Sequence, residues 1–124
     1  MLRQSIVFFK KINEAFTTGD TEFMAANSTD DVQGIIVGSK TTQGRNELIK
    51  EMKARKMEYV VALTYSYFIT HGNKAAINGT MRIAGKSRRG KLYAFCHIYE
   101  LNKFKNGQVK VITSYIIETT QVKY

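Results

Sequence analysis

Residues 91–120 read KLYAFCHIYELNKFKNGQVKVITSYIIETT. β-Branched and aromatic residues crowd both ends, and Asn106-Gly107 interrupts them, the pattern of two strands joined by a tight turn. The same chemistry extends back to Met57, with turn signals at His71-Gly72-Asn73 and Gly85-Lys86-Ser87-Arg88-Arg89-Gly90. Four long strands are predicted, about 58–70, 75–85, 91–104 and 108–120. Their short turns make neighbours antiparallel.

The first half reads as helical. Leu2, Ile6, Phe9, Ile12 and Phe16 recur at spacings of three and four and share one helix face, with Lys10, Lys11, Asn13 and Glu14 on the others. Gly19 stops that helix and Asp20 caps a short second one, roughly Thr21 to Asn27. Val32 to Val37 reads as a short strand after Asp30-Asp31. Gly44 opens a third helix, with Glu47 near its start and Lys53, Arg55 and Lys56 near its end, as the helix dipole prefers. Helices first and strands after imply an α+β domain with segregated layers.

The chain has 124 residues, 44% hydrophobic and 23% charged, which fits one globular domain spanning 1–124. No apolar run approaches the ~18 residues of a membrane span, and the start lacks the pattern of a signal peptide. One cysteine, Cys96, allows no internal disulfide, and a cytoplasmic location is expected. There is no proline, so turns fall to Gly, Asn and Asp. Nineteen Lys and Arg against ten Asp and Glu give a net charge of +9. These charges are scattered rather than striped, so they are read as solvated faces and not as a nucleic-acid surface. Tyr65, Tyr67, Phe68, Tyr93, Phe95 and Tyr99 are read as core rather than as a base-stacking platform. Lys86, Arg88, Arg89 and Lys91 make a basic hairpin tip.

Thr18-Gly19-Asp20, Thr29-Asp30-Asp31-Val32, Gly44-Arg45, Lys105-Asn106-Gly107-Gln108-Val109 and Thr113-Ser114-Tyr115-Ile116 follow one another in the order of a known family. By these pieces the chain resembles the nuclear-transport-factor-2-like superfamily, which includes SnoaL-like polyketide cyclases and ketosteroid isomerases. The resemblance implies a cone-shaped fold of the cystatin-like kind. Three N-terminal helices pack on a curved, mainly antiparallel sheet, and the open end holds a small molecule. Ketosteroid isomerases use a Tyr and a protonated Asp as oxyanion hole and an Asp as base. Matching places Ile12 at the tyrosine and Ile35 or Ile36 at the base, neither of them titratable. It places His97 at or next to the pocket aspartate.

Hairpin geometry tests that placement. A two-residue turn at Asn106-Gly107 pairs Lys105 with Gln108, and sets His97 opposite Ile116, Tyr99 opposite Ser114, Phe95 opposite Glu118 and Leu101 opposite Ile112. Opposed residues share a face, so Phe95, His97, Tyr99, Ser114, Ile116 and Glu118 form one patch, apolar walls with a few polar groups. His97 and Glu118 are the catalytic candidates, as general base and orienter. Phe95, Tyr99, Ser114 and Ile116, with Ile12 and Phe16 from helix 1, are the expected ligand-binding set. His71 sits in a turn and is read as solvated. No ligand spacing points to a metal and no motif points to a cofactor.

The function expected is a small-molecule pocket for an apolar or aromatic ligand, in a lyase- or isomerase-like enzyme or in a non-catalytic binder. The other classes are a protein-interaction adaptor of the transport-factor type and, behind it, an anion or nucleic-acid binder. The opposite face of the hairpin, with Cys96, Ile98, Tyr115 and Ile117, is also apolar. Three helices cover only one face of such a sheet, so a homodimer through the other is expected.

Overall fold

A computed structural model describes residues 2–55, 59–84 and 90–119. Helix α1 spans Leu2–Thr18, α2 Thr21–Ala26 and α3 Arg45–Ala54. Strands β1 and β2 span Ser28–Ile36 and Thr41–Gln43, and β3 to β6 span Tyr59–His71, Lys74–Ala84, Lys91–Leu101 and Val109–Thr119. The strands make one six-stranded sheet in the order β2-β1-β6-β5-β4-β3. All pairings are antiparallel except β1 with β6. This is the expected α+β cone, with the helices on one face of a curved, open sheet.

The helix boundaries follow from local chemistry. Gly19 takes φ +83° and, with Asp20, returns its N–H to the Ala15 carbonyl at 3.0 and 2.9 Å, closing α1. The Asp20 carboxylate then accepts the Phe23 N–H at 3.1 Å and starts α2. Gly44, at φ +95°, precedes α3. Phe9, Ile12, Ala15 and Phe16 of α1 are buried. Two expectations for that helix are corrected: Ile6 is 42% exposed, whereas Asn13 is fully buried. The Leu2 side chain, Gly85 and the basic tip Lys86 to Arg89 lie outside the described residues.

The first strand begins at Ser28, four positions before the expected start at Val32. The Val109 N–H reaches the Asn27 carbonyl at 2.8 Å and ties the strand's beginning to β6. β2 was not expected; three residues are too few to carry a period. The last hairpin is the larger correction. Asn102 donates its N–H to the Gln108 carbonyl, and its side-chain oxygen accepts the Gln108 N–H, each at 2.9 Å. The chain therefore reverses through a longer loop, with Asn106 at φ +54°, rather than through a two-residue turn. His97 pairs with Ser114, Tyr99 with Ile112, Phe95 with Ile116 and Leu101 with Val109. For the first three, the slip is two positions. Side chains alternate with period two, so every residue keeps its expected face while its partner changes.

The concave face, under the helices, buries Ile77, Met81, Phe95, His97, Tyr99, Ile112 and Ser114. Tyr65, Phe68 and Tyr93 pack half-buried against this core. Tyr67 is exposed on the other face, the exception among the expected core aromatics.

Candidate functional site: a cavity beside His97

Between the end of α1, the end of α3 and the inner face of the sheet lies a cavity of about 210 Å³. Phe16, Met52, Val60, Met81, Ile83, Tyr93 and Ile116 supply its apolar wall. Thr17, Thr18, Gly19, Arg55 and His97 complete the lining. The two threonine hydroxyls are turned back into α1, onto the Asn13 and Glu14 carbonyls at 2.7 and 2.6 Å. The other polar groups on the lining are the His97 ring, the Arg55 guanidinium and the Tyr93 phenol.

His97 is 1% exposed. Its Nδ1 lies 3.0 Å from the Asn13 side-chain oxygen, which also accepts the Tyr99 hydroxyl at 2.6 Å. An amide oxygen offers only lone pairs, so this network assigns the imidazole proton to Nδ1. Nε2 is then a bare acceptor, and it is buried without a hydrogen-bond partner among the described residues. Phe95 and Phe16 hold the ring between them, at centroid distances of 4.7 and 5.4 Å.

Burial first, and the Arg55 charge second, lower the His97 pKa to about 3. The ring is therefore neutral throughout the physiological range. Burial likewise raises the Tyr99 phenol, with Tyr65 adding to the effect. It raises the Tyr65 phenol too, against an opposing contribution from Asn13. Burial thus favours the uncharged forms of His97, Tyr99 and Tyr65.

The expected site residues separate into groups. His97, Ile116 and Phe16 line the cavity. Phe95, Tyr99, Ser114 and Ile12 are buried around it without lining it, Tyr99 being committed to Asn13. Ser114 lies directly across from His97, and its hydroxyl has no partner among the described residues. Glu118 is the correction. It pairs with Tyr93 and is exposed, four strand positions beyond Ser114, a rise of about 13 Å. The structure does not bring it to His97, whose ring nitrogen Nδ1 is hydrogen-bonded to Asn13 instead. His71 is exposed, as expected of a turn residue.

Two site residues escaped the sequence reading. Asn13 stands four residues after Phe9 and three before Phe16, inside the apolar arc, but its polarity assigned it to the solvent side. Arg55 read as a helix-end cation; only the fold shows its guanidinium above the Phe16 ring, 5.5 Å from the centroid. No signal in the sequence alone distinguishes it from Lys53.

No protein-family model and no curated protein matches the sequence. Solved structures do match. An NTF2-like protein of unknown function from Cytophaga hutchinsonii is 25% identical, with 88% of this chain and 96% of that one covered at a TM-score of 0.70. An LEH-like epoxide hydrolase from M. tuberculosis is 12% identical over 93% of this chain and 84% of its own, with a TM-score of 0.76. A Mesorhizobium loti protein assigned as a SnoaL-like polyketide cyclase is 15% identical over 93% and 98%, with a TM-score of 0.68. Ligand-handling enzymes and proteins of unknown role thus share this architecture, and the chain has the nuclear-transport-factor-2-like fold.

Proposed function

We propose that this protein binds a small, mainly apolar molecule in the cavity, with His97 accepting a hydrogen bond from it. The observation that carries this reading is the His97 Nε2, a buried acceptor without a partner among the described residues, on a ring that lines an apolar cavity. An unpaired buried polar group costs about 1–3 kcal/mol, and a ligand hydroxyl or N–H relieves that cost. The low proton affinity of His97 makes it a weak general base and no general acid near pH 7, which favours binding over acid–base catalysis.

Catalysis is the second reading, favoured by the Ser114 hydroxyl across from His97 and by neighbours named as hydrolase and cyclase. A thermal-shift screen of small alcohols, phenols and amides tests the binding reading. A compound at a hundred times its Kd stabilises the fold by about 2.7 kcal/mol, and the cavity-filling change Met81→Trp should abolish the shift. A screen without a hit, or hits indifferent to Met81→Trp, counts against it. Conversion of a hit at a rate lost in His97→Gln selects the enzyme.

A further inference from the structure

The hydrogen bonds behind His97 decide what the cavity can recognise. Asn13 lies on α1, with His97 and Tyr99 on β5, 84 and 86 positions later, and all three side chains are buried. The Asn13 amide oxygen takes the Tyr99 hydroxyl proton and the Nδ1 proton, at 2.6 and 3.0 Å. An imidazole without such a partner presents either a donor or an acceptor, because its proton moves between the two nitrogens. This ring gives its proton to Asn13 and has none for the cavity. Among the described residues lining the cavity, His97 is the one with a buried side-chain acceptor that has no hydrogen-bond partner.

Charge narrows the class further. A carboxylate has no donor to offer Nε2. Burial, and after it the Arg55 charge, disfavour a proton on His97, and both disfavour a cationic ligand beside the ring for the same reasons. A neutral O–H or N–H meets neither objection. Resting on the binding reading above, we propose that the cavity selects a neutral hydrogen-bond donor carried on a single ring, a phenol above all. Asn13 sets this preference as a positioning residue, by holding the proton on Nδ1. Size agrees: a cavity of about 150 Å³ accepts benzene, so about 210 Å³ accommodates one ring bearing a small group.

Phenol and benzonitrile are similar in size, but phenol donates whereas benzonitrile only accepts. Calorimetric titration should give phenol at least about tenfold tighter, because benzonitrile leaves Nε2 buried and unpaired. Benzylammonium, a cationic donor, should bind more weakly than phenol. Nitrogen NMR of the ring adds a readout that stability alone does not move. The chain has two histidines, and His71→Gln leaves only the His97 signals. Nδ1 should carry the proton, and phenol should shift the Nε2 signal without protonating it. Asn13→Leu removes the acceptor, so the proton should spread over both nitrogens and the phenol preference should fall. His97→Phe, which keeps a ring between Phe16 and Phe95, should abolish that preference. Should Asn13→Leu fail to give a cooperative melt, His97→Phe and the NMR of the His71→Gln protein carry the test. Four results overturn the donor assignment while binding in the cavity stands. They are a proton on Nε2, benzylammonium binding as tightly as phenol, equal affinity for phenol and benzonitrile, as a bridging water would give, and a preference that survives His97→Phe or is undiminished in a folded Asn13→Leu. Ile116→Trp, which fills the cavity, should weaken phenol and benzonitrile alike. Failure of both to bind, or binding indifferent to Ile116→Trp, overturns the cavity reading together with the donor assignment.

Discussion

At the scale of single residues, Asn13 governs the site. Its amide oxygen receives both the Tyr99 hydroxyl and the His97 Nδ1 proton, so it fixes the tautomer that leaves Nε2 bare. Asn13→Leu preserves the volume and strands two buried donors. A loss of about 2–4 kcal/mol in urea unfolding is expected, and Tyr99→Phe in that background should recover part of it. A loss under 0.5 kcal/mol would show that the network contributes little. His97 also sets a pH dependence. Its folded pKa, about 3, lies below the unfolded value near 6.5, so between those values the unfolded chain binds the extra proton. The stability linked to neutral His97 is complete above pH 6.5 and is lost as pH falls toward 3, at up to ~1.4 kcal/mol per unit. Unfolding at pH 7 and pH 5 should differ by about 2 kcal/mol from this group, and His97→Gln should remove that difference. Equal pH slopes in the two proteins would refute it. Much of this was hidden in the sequence: His97 stood out as a polar residue on an apolar strand, but its partner lies 84 positions away.

Among the elements, Gly79 marks where the sheet bends. It faces the irregularity in β3 between Tyr65 and Tyr67, and a Cβ there would overlap the Thr64 carbonyl oxygen. The neighbouring strand can close that tightly only because residue 79 has no side chain. Gly79→Ala should cost roughly 2–4 kcal/mol in denaturant midpoints and disturb the cavity wall that β3 and β4 supply. A neutral substitution would place the origin of the curvature elsewhere. Elements of this kind were legible before the structure. Alternation and turn residues located the four long strands to within a few residues, because period two is a local property. Pairing is not local. Asn106-Gly107 has the composition of a two-residue turn, yet the Asn102 side chain, bonded to the Gln108 N–H, closes a wider loop. Glu118 was consequently carried away from His97, although its face was read correctly.

On the scale of the molecule, the uncovered side of the sheet is the outstanding feature. Cross-strand registers build three adjacent rungs there: Ile69–Ala76–Ile98–Thr113, Tyr67–Asn78–Cys96–Tyr115 and Thr64–Thr80–Ala94–Ile117. None of these residues is charged, in a chain where 23% are. Charges return on the flanking rungs, at Lys74 and Glu100 on one side and Arg82 on the other. Ile117 and Tyr67 are 69% and 66% exposed. We propose that a second copy of the chain covers this face. Each copy carries +9, so self-association demands a contact that brings no like charges together, and these rungs meet that demand. An acidic partner would be recognised by Lys or Arg, which the patch lacks. The same lack removes the phosphate contacts that a base-stacking platform built on Tyr67 and Tyr115 would need. Light scattering at micromolar concentration should therefore give about twice 14.1 kDa. Ile117→Lys puts a cation against its symmetry mate or near it, and should halve that mass while leaving the thermal melt cooperative. A mass near 14.1 kDa for the unmodified chain ends the dimer proposal, and so does a dimer that survives Ile117→Lys together with Tyr67→Lys.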